Sequence, residues 1–152
     1  MTANVEIERR YLLIGLPPHM PDTHVLEYAQ GYLRTEPYED RLVCQAVLPP
    51  RYIRTVKIGH GLTRQEFKQD IPQAMFAALW PFTKGRRLDK RRYTVVQELT
   101  WEVTEFIGLG IVTAEVELPS VDHPVELPDW MQAYVVREVT TELTYESAQL
   151  AR

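Results

Sequence analysis

The sequence predicts a mainly β fold of the α+β type, in which successive antiparallel strands close into a barrel or stack as a sandwich. Two observations carry this. Short segments alternating between polar and apolar residues run through most of the chain, each bounded by Gly, Pro or polar turns. In several of them one face is apolar and the other carries charges of both signs. The 152 residues fit a single domain, 1–152, with no linker, internal repeat or low-complexity tract dividing them.

The first strand, 5–14, is the most informative. Read at a period of two, it sets Glu6, Glu8 and Arg10 on one face and Val5, Ile7, Tyr11 and Leu13 on the other. Like charges two residues apart repel, and they persist most easily in water or beside a bound cation. Arg10 adds a fixed positive charge able to hold an anion. Carboxylates and a guanidinium together suit a metal-bound polyanion; the alternative is an edge strand with a solvated face. After the turn at Gly15-Leu16-Pro17-Pro18, further strands are expected at 27–34, 41–48, 52–58, 62–71, 90–99, 101–107 and 111–118. Gly59-His60-Gly61 reads as a hairpin turn and Gly108-Leu109-Gly110 as a loop. Residues 73–80 have helical spacing with Pro72 at the start, and 129–136 and 145–150 are weaker helical stretches.

The alternation continues along these strands. Arg41, Val43 and Gln45 oppose Leu42, Cys44 and Ala46, and Thr55 and Lys57 oppose Val56 and Ile58. Arg64, Glu66, Lys68 and Asp70 oppose Phe67 and Ile71, while Glu115 and Glu117 oppose Ala114, Val116 and Leu118. Lys90 shares a face with Arg92, and Glu102 with Thr104 and Phe106. Turned outward, these charges make an ordinary solvated surface. Turned inward, they enclose a wet lumen that is costly without ligand, metal or water. Periodicity leaves both orientations open.

Composition narrows the function classes. Lys and Arg number 17 against 21 Asp and Glu, a net charge of -4 that lacks the cationic surplus of a sequence-independent nucleic-acid binder. The 45% hydrophobic and 25% charged content is that of a soluble globular chain. Cys44 is the only cysteine, so no intramolecular disulfide forms, which fits a reducing compartment. With neither a bilayer-spanning apolar run nor a signal-peptide pattern, a cytoplasmic protein without a membrane partner is expected.

An ordered set of motifs resembles the CYTH superfamily, the triphosphate tunnel metalloenzymes. Glu6-Ile7-Glu8-Arg9-Arg10 resembles the family's Glu-x-Glu-x-Lys, with Arg in the Lys position. Gln30-Gly31-Tyr32-Leu33 matches its Gln-Gly-Tyr-Leu segment, and Thr55-Val56-Lys57-Ile58-Gly59 its Thr-x-Lys-Gly strand end, with one extra residue before the glycine. Arg64-Gln65-Glu66-Phe67, Lys90-Arg91-Arg92-Tyr93 and Ala114-Glu115-Val116-Glu117-Leu118 follow in order, then Trp130 and Glu138-Val139-Thr140. Any one motif is weak, and the ordered set is specific. Leu79 to Arg87, leading into Lys90, looks most like the compact bacterial branch, whose members are typically inorganic triphosphatases.

The resemblance implies a closed eight-stranded antiparallel barrel, a tunnel with a few short helices, whose charged faces point inward. It implies divalent cations, Mg2+ or Mn2+, held by Glu6, Glu8, Glu115 and Glu117, and a linear triphosphate gripped by Arg41, Lys57, Arg64, Lys90 and Arg92. Glu66 sits among those cations and orients them. Glu8 and Arg10 are the catalytic candidates, Arg10 standing where the family has a Lys thought to help activate the attacking water. Oxygen ligands suit hard cations, and Lys and Arg stabilise charge on a transferring phosphoryl group. The activity implied is hydrolysis of inorganic triphosphate or a nucleoside triphosphate. The alternatives are a class IV adenylyl cyclase, a thiamine triphosphatase, or a barrel that binds a phosphorylated ligand without turnover. Closed barrels lack free edges, so a homodimer would need another surface.

Several positions depart from the family pattern. Arg10 is always protonated, unlike a Lys. Val43 replaces the second Arg of Arg-x-Arg, and Lys68 reverses the charge of a Glu, adding positive charge nearby. Thr104 stands for an Asp that contributes to the metal site, with Glu102 on the same face to compensate, and Ser147 stands for an Asn. Elsewhere, His19, His24, His60 and His123 lack metal-ligand spacing and read as surface residues. Trp80, Trp101 and Trp130 read as core anchors. Arg86-Arg87 reads as a solvated loop, Arg91 as facing away from the site, and 119–128 as a loop shaping the barrel mouth.

Overall fold

The computed structural model describes residues 2–152. Its strands are β1 (Thr2–Leu13), β2 (His24–Arg34), β3 (Glu39–Gln45), β4 (Arg51–Ile58), β5 (Thr63–Asp70), β6 (Arg87–Val96), β7 (Thr100–Phe106), β8 (Ile111–Glu117) and β9 (Val135–Glu138). They lie in the order β5-β4-β3-β2-β6-β7-β8-β1-β9, and β5 pairs again with β1, so eight strands close a barrel and β9 is appended outside it. The long first strand makes the closure. Residues from Thr2 to Ile7 pair antiparallel with β5, and those from Glu8 to Leu13 with β8.

β9 differs from expectation. Of residues 129–136 only Asp129–Gln132 is helical, and Val135–Glu138 is a strand. β5 pairs with β1 only as far as Ile7, leaving the next stretch of that edge with backbone groups to satisfy. β9 pairs there with Tyr11, Leu12 and Leu13. Its β-branched Val135 and Val136 suit a strand. Residues 73–80 are helical as expected, as a helix over Gln73–Leu79 that starts after Pro72 and runs into a 3-10 turn, Trp80–Thr83.

Charges fill the lumen, so the apolar core lies outside it. Tyr11, Leu13, Val95, Trp101, Val103, Val112, Ala114 and Val116 form a layer on the outer face of β1, β6, β7 and β8. Leu16, Met20, Val125, Leu127, Trp130 and Met131 cover that layer. The 119–128 loop therefore does more than shape the mouth: its Val125 and Leu127 are part of the apolar cover. Trp101 is a buried anchor, whereas Trp80 and Trp130 are only half-buried. A second apolar cluster joins Tyr32, Leu88 and Phe106 to Ala148 and Leu150 of the C-terminal helix Ser147–Leu150. Backbone hydrogen bonds in both directions between Arg87 and Arg152 fix that segment across one end of the barrel.

The Gln-Gly-Tyr-Leu and Arg86-Arg87 motifs have a packing explanation. A Cβ on Gly31 would lie 2.5 Å from Thr83 Oγ1. Thr83 is pinned, donating to the Trp80 carbonyl at 2.7 Å and accepting from Arg87 Nε at 2.8 Å. Arg87 also donates to the Trp80 carbonyl at 2.8 Å and stacks 4.6 Å from the Trp80 ring, while Arg86 Nε donates to the Tyr32 carbonyl at 2.9 Å. These arginines are a clamp on the turn rather than a solvated run. Gly31→Ala is expected to destabilise the fold by about 1–3 kcal/mol through overpacking, seen as a lower urea midpoint at unchanged m-value.

Candidate functional site

Strand alternation carries every candidate side chain into the barrel. Glu6, Glu8 and Arg10 project from β1, Arg64 and Glu66 from β5, and Glu115 and Glu117 from β8. Arg41 comes from β3, Lys57 from β4, and Lys90 and Arg92 from β6. The inward orientation, one of two the pattern allowed, is the one adopted. Glu6, Arg10, Arg41, Lys57, Arg64, Glu66 and Lys90 are all buried.

The interior is divided along its axis. An outer chamber of about 140 Å³ is lined by Glu6, Glu8, Glu66, Glu102, Glu115 and Glu117, facing Arg41, Lys57, Lys68 and Arg92. An inner chamber of about 20 Å³ is lined by Arg10, Arg41, Lys57, Arg64, Lys90 and Arg92, with Glu39, Glu115 and Ser147. Carboxylates gather toward the mouth and cations toward the inner end, where the Ser147–Leu150 helix packs.

Opposite charges pair across strands. Lys57 Nζ donates to Glu6 at 2.8 Å and lies 3.3 Å from Glu66. Arg64 stands 3.4 Å from Glu6, 3.5 Å from Glu8 and 3.4 Å from Glu39. Arg10 Nε lies 3.3 Å from Glu115, with Nη2 3.8 Å from Glu8. Arg92 Nε approaches Glu102 at 3.3 Å as an ion pair without hydrogen-bond alignment.

The pairing divides the carboxyls. Burial opposes the charge of Glu6, but Lys57, Glu66 and Arg64 together outweigh it and bring the carboxyl down to about 2. Burial also works against Glu115, yet Arg10 holds it well below the usual carboxylate range. Glu8 goes the other way: burial, then the neighbouring Glu115, pushes it up to about 8. Burial and Glu102 raise Glu117. The donor set is all oxygen, as a hard divalent cation requires. Among the described residues, however, no three carboxylates are grouped as a ready-made metal cluster. Glu6 and Glu115 are engaged by Lys57 and Arg10, so a cation would compete with those partners.

The departures from the family pattern have structural contexts. Val43 packs with Tyr28 and Ile53 in an apolar lining patch. Lys68 is 57% exposed at the mouth, 3.6 Å from Glu66. Thr104 is buried opposite Thr113. Arg91 faces outward, bonded to Glu27 and Glu105. Thr140 Oγ1 accepts from the Arg10 backbone at 3.0 Å and donates to Glu138, so the Glu-Val-Thr motif anchors the chain against β1.

Sequence reasoning missed three buried carboxylates, Glu39, Asp40 and Glu146, of which Asp40 is held by Arg54 at 2.9 Å. Glu39 was legible, since it precedes Arg41 by two residues on β3. Glu146 was not, because it lies outside any alternating segment. It is buried and 3.1 Å from Nδ1 of His60, which is exposed as expected.

Known proteins agree with this architecture. No protein-family model matches the chain. It is 34% identical to an inorganic triphosphatase of Nitrosomonas europaea, over 96% of each chain. It is 32% identical to an inorganic triphosphatase of Acetivibrio thermocellus, over 97% of this chain and 93% of that one. A crystal structure of an inorganic triphosphatase superposes with a TM-score of 0.67 at 31% identity, covering 96% of this chain and 93% of the other.

The Glu8 shift has a pH signature. Its folded value of about 8 exceeds the ordinary 4.5, so the native state binds the extra proton between them. Stability from this group is full below 4.5 and is lost as pH rises through about 8. Urea titrations of metal-free protein and of Glu8→Gln between pH 5 and 9 are expected to differ by a gap that changes against the unmodified protein as pH rises. A gap independent of pH would contradict the shift.

Proposed function

The chain belongs to the CYTH superfamily, in the branch of the bacterial inorganic triphosphatases, and we propose that it hydrolyses inorganic triphosphate with a divalent metal, Mg2+ or Mn2+, inside its charged barrel. One observation carries this most: the lumen sets carboxylates toward the mouth and cations toward the inner end. That arrangement suits a linear polyanion together with hard cations.

In this reading Arg41, Lys57, Arg64, Lys90 and Arg92 take the phosphate oxygens and hold the chain in line for attack by water. Glu66, 3.3 Å from Lys57 Nζ, fixes that ammonium. Glu6, Glu8, Glu115 and Glu117 would hold the metal, which supplies charge neutralisation and an acidified water when bound. Arg10 keeps its proton, so its role is to orient Glu115 and Glu8 and to stabilise negative charge rather than to accept a proton from water. The barrel wall and the C-terminal segment limit access of bulk water.

Among the described residues no helix is long and apolar enough to cross a membrane. We place the protein in the cytoplasm, in keeping with free Cys44, and assign it a small-molecule triphosphate substrate with no nucleic-acid or membrane partner. A homodimer would use a surface outside the barrel edges.

The test is phosphate release from inorganic triphosphate and from ATP, with magnesium and with manganese. Metal-dependent release is expected, faster from inorganic triphosphate. Glu8→Gln is expected to reduce it by at least about 100-fold, and Lys57→Met by about 10²–10³. Triphosphate binding without release would instead make this a binding barrel.

A further inference from the structure

We propose that Lys90 is a proton-capture residue of the inner chamber: its amine is neutral while the chamber is empty and takes one proton from solution as triphosphate enters. This rests on the triphosphate reading of the site. Lys90 differs from its neighbour Lys57. Lys57 is ion-paired to Glu6 and Glu66 at 2.8 and 3.3 Å. Lys90 is only 4% exposed, and among the described residues no carboxylate lies within ion-pair distance of its Nζ.

The groups facing Lys90 are mostly cationic. Arg92 lies two residues along β6. Arg10 from β1, Arg41 from β3, Lys57 from β4 and Arg64 from β5 line the same chamber. β2 contributes the Tyr28 ring, 5.7 Å from Nζ. From β7 its register partner is Phe106, which carries no charge. The opposing carboxylates are Glu115 of β8, taken by Arg10 at 3.3 Å, and Glu39 of β3, taken by Arg64 at 3.4 Å. An ammonium here would be desolvated and repelled. The guanidiniums cannot release a proton, so the amine is the group that yields. Burial, then Arg92 and Arg41, lowers it well below the usual lysine range.

Triphosphate reverses the local field and offers acceptor oxygens. The amine then becomes an ammonium, –NH2 + H+ → –NH3+, with the proton supplied by the buffer and no P–O bond made or broken. The complex holds more protons than the empty protein, so affinity falls as pH rises. One proton gives up to a tenfold fall per pH unit between the empty and occupied pKa values. An arginine at this position would bind the anion without that linkage.

Calorimetry reads this directly. Inorganic triphosphate is titrated, with magnesium, into Glu8→Gln protein, which slows turnover and silences the Glu8 proton. Two buffers of different ionisation enthalpy give the protons taken up. The same titration into Glu8→Gln/Lys90→Arg cancels the protons of the ligand and of all other groups. The expected result is close to one proton more in the parent, with an affinity that falls more steeply with pH than in the Arg variant. Equal uptake in the two overturns the proposal. If the Arg variant does not fold, Lys90→Met replaces it and must show the same lost proton. Phosphate release by the unmodified protein is scored separately. Release with equal uptake sinks only the Lys90 assignment, and uptake without release sinks only the hydrolase reading.

Discussion

Charge neutralisation inside a closed barrel is the constraint on which this molecule turns. Side chains pointing into the lumen lose much of their water, and an isolated buried charge there is prohibitively costly. Cations and carboxylates therefore face one another across strand boundaries. Lys57 sits between Glu6 and Glu66, Arg64 among Glu6, Glu8 and Glu39, and Arg10 beside Glu115. Such pairs are close to neutral for stability compared with apolar packing, whereas removing one partner costs about 3–5 kcal/mol. On the proposed reading, ligand binding would be an exchange of partners: carboxylates would pass from Arg and Lys to metal, and Arg and Lys from carboxylate to phosphate.

A polar lumen moves the work of holding the fold elsewhere. The apolar layer lies on the outer face of β1, β6, β7 and β8, under the cover supplied by Val125, Leu127 and Met131. At the inner end, Ala148 and Leu150 pack against Tyr32, Leu88 and Phe106. Two lining positions that depart from the family pattern leave no buried unpaired charge. Val43 lies with Tyr28 and Ile53, so the loss of a cation there leaves an apolar patch rather than an unpaired charge. Lys68, more than half exposed at the mouth, keeps its ammonium in contact with water.

Much of this is legible in the sequence because strands are periodic. Alternation alone places Glu6, Glu8 and Arg10 on one face, and likewise Arg64 with Glu66 and Lys90 with Arg92. It cannot say which face looks inward; the ordered motifs decide that. Glu39 escaped notice although the same period marks it. Glu146 and β9 had no such signal. Glu146 depends on where the C-terminal segment lands, and β9 on the stretch of β1 edge beyond Ile7 that β5 leaves unpaired. The ion-pair partners are also invisible to periodicity, since they come from register between strands distant in the chain. Arg86 and Arg87 looked like surface charge because a clamp on the Trp80 and Tyr32 carbonyls exists only in three dimensions.

Partner exchange in the lumen is tested most directly by anomalous diffraction from crystals grown with manganese and a non-hydrolysable triphosphate analogue. The expected map has manganese among Glu6, Glu8, Glu115 and Glu117, with the phosphorus chain against Arg41, Lys57, Arg64, Lys90 and Arg92. The Lys57–Glu6 and Arg10–Glu115 pairs would be opened. Metal and analogue bound outside the barrel, with those pairs intact at 2.8 and 3.3 Å, would contradict it.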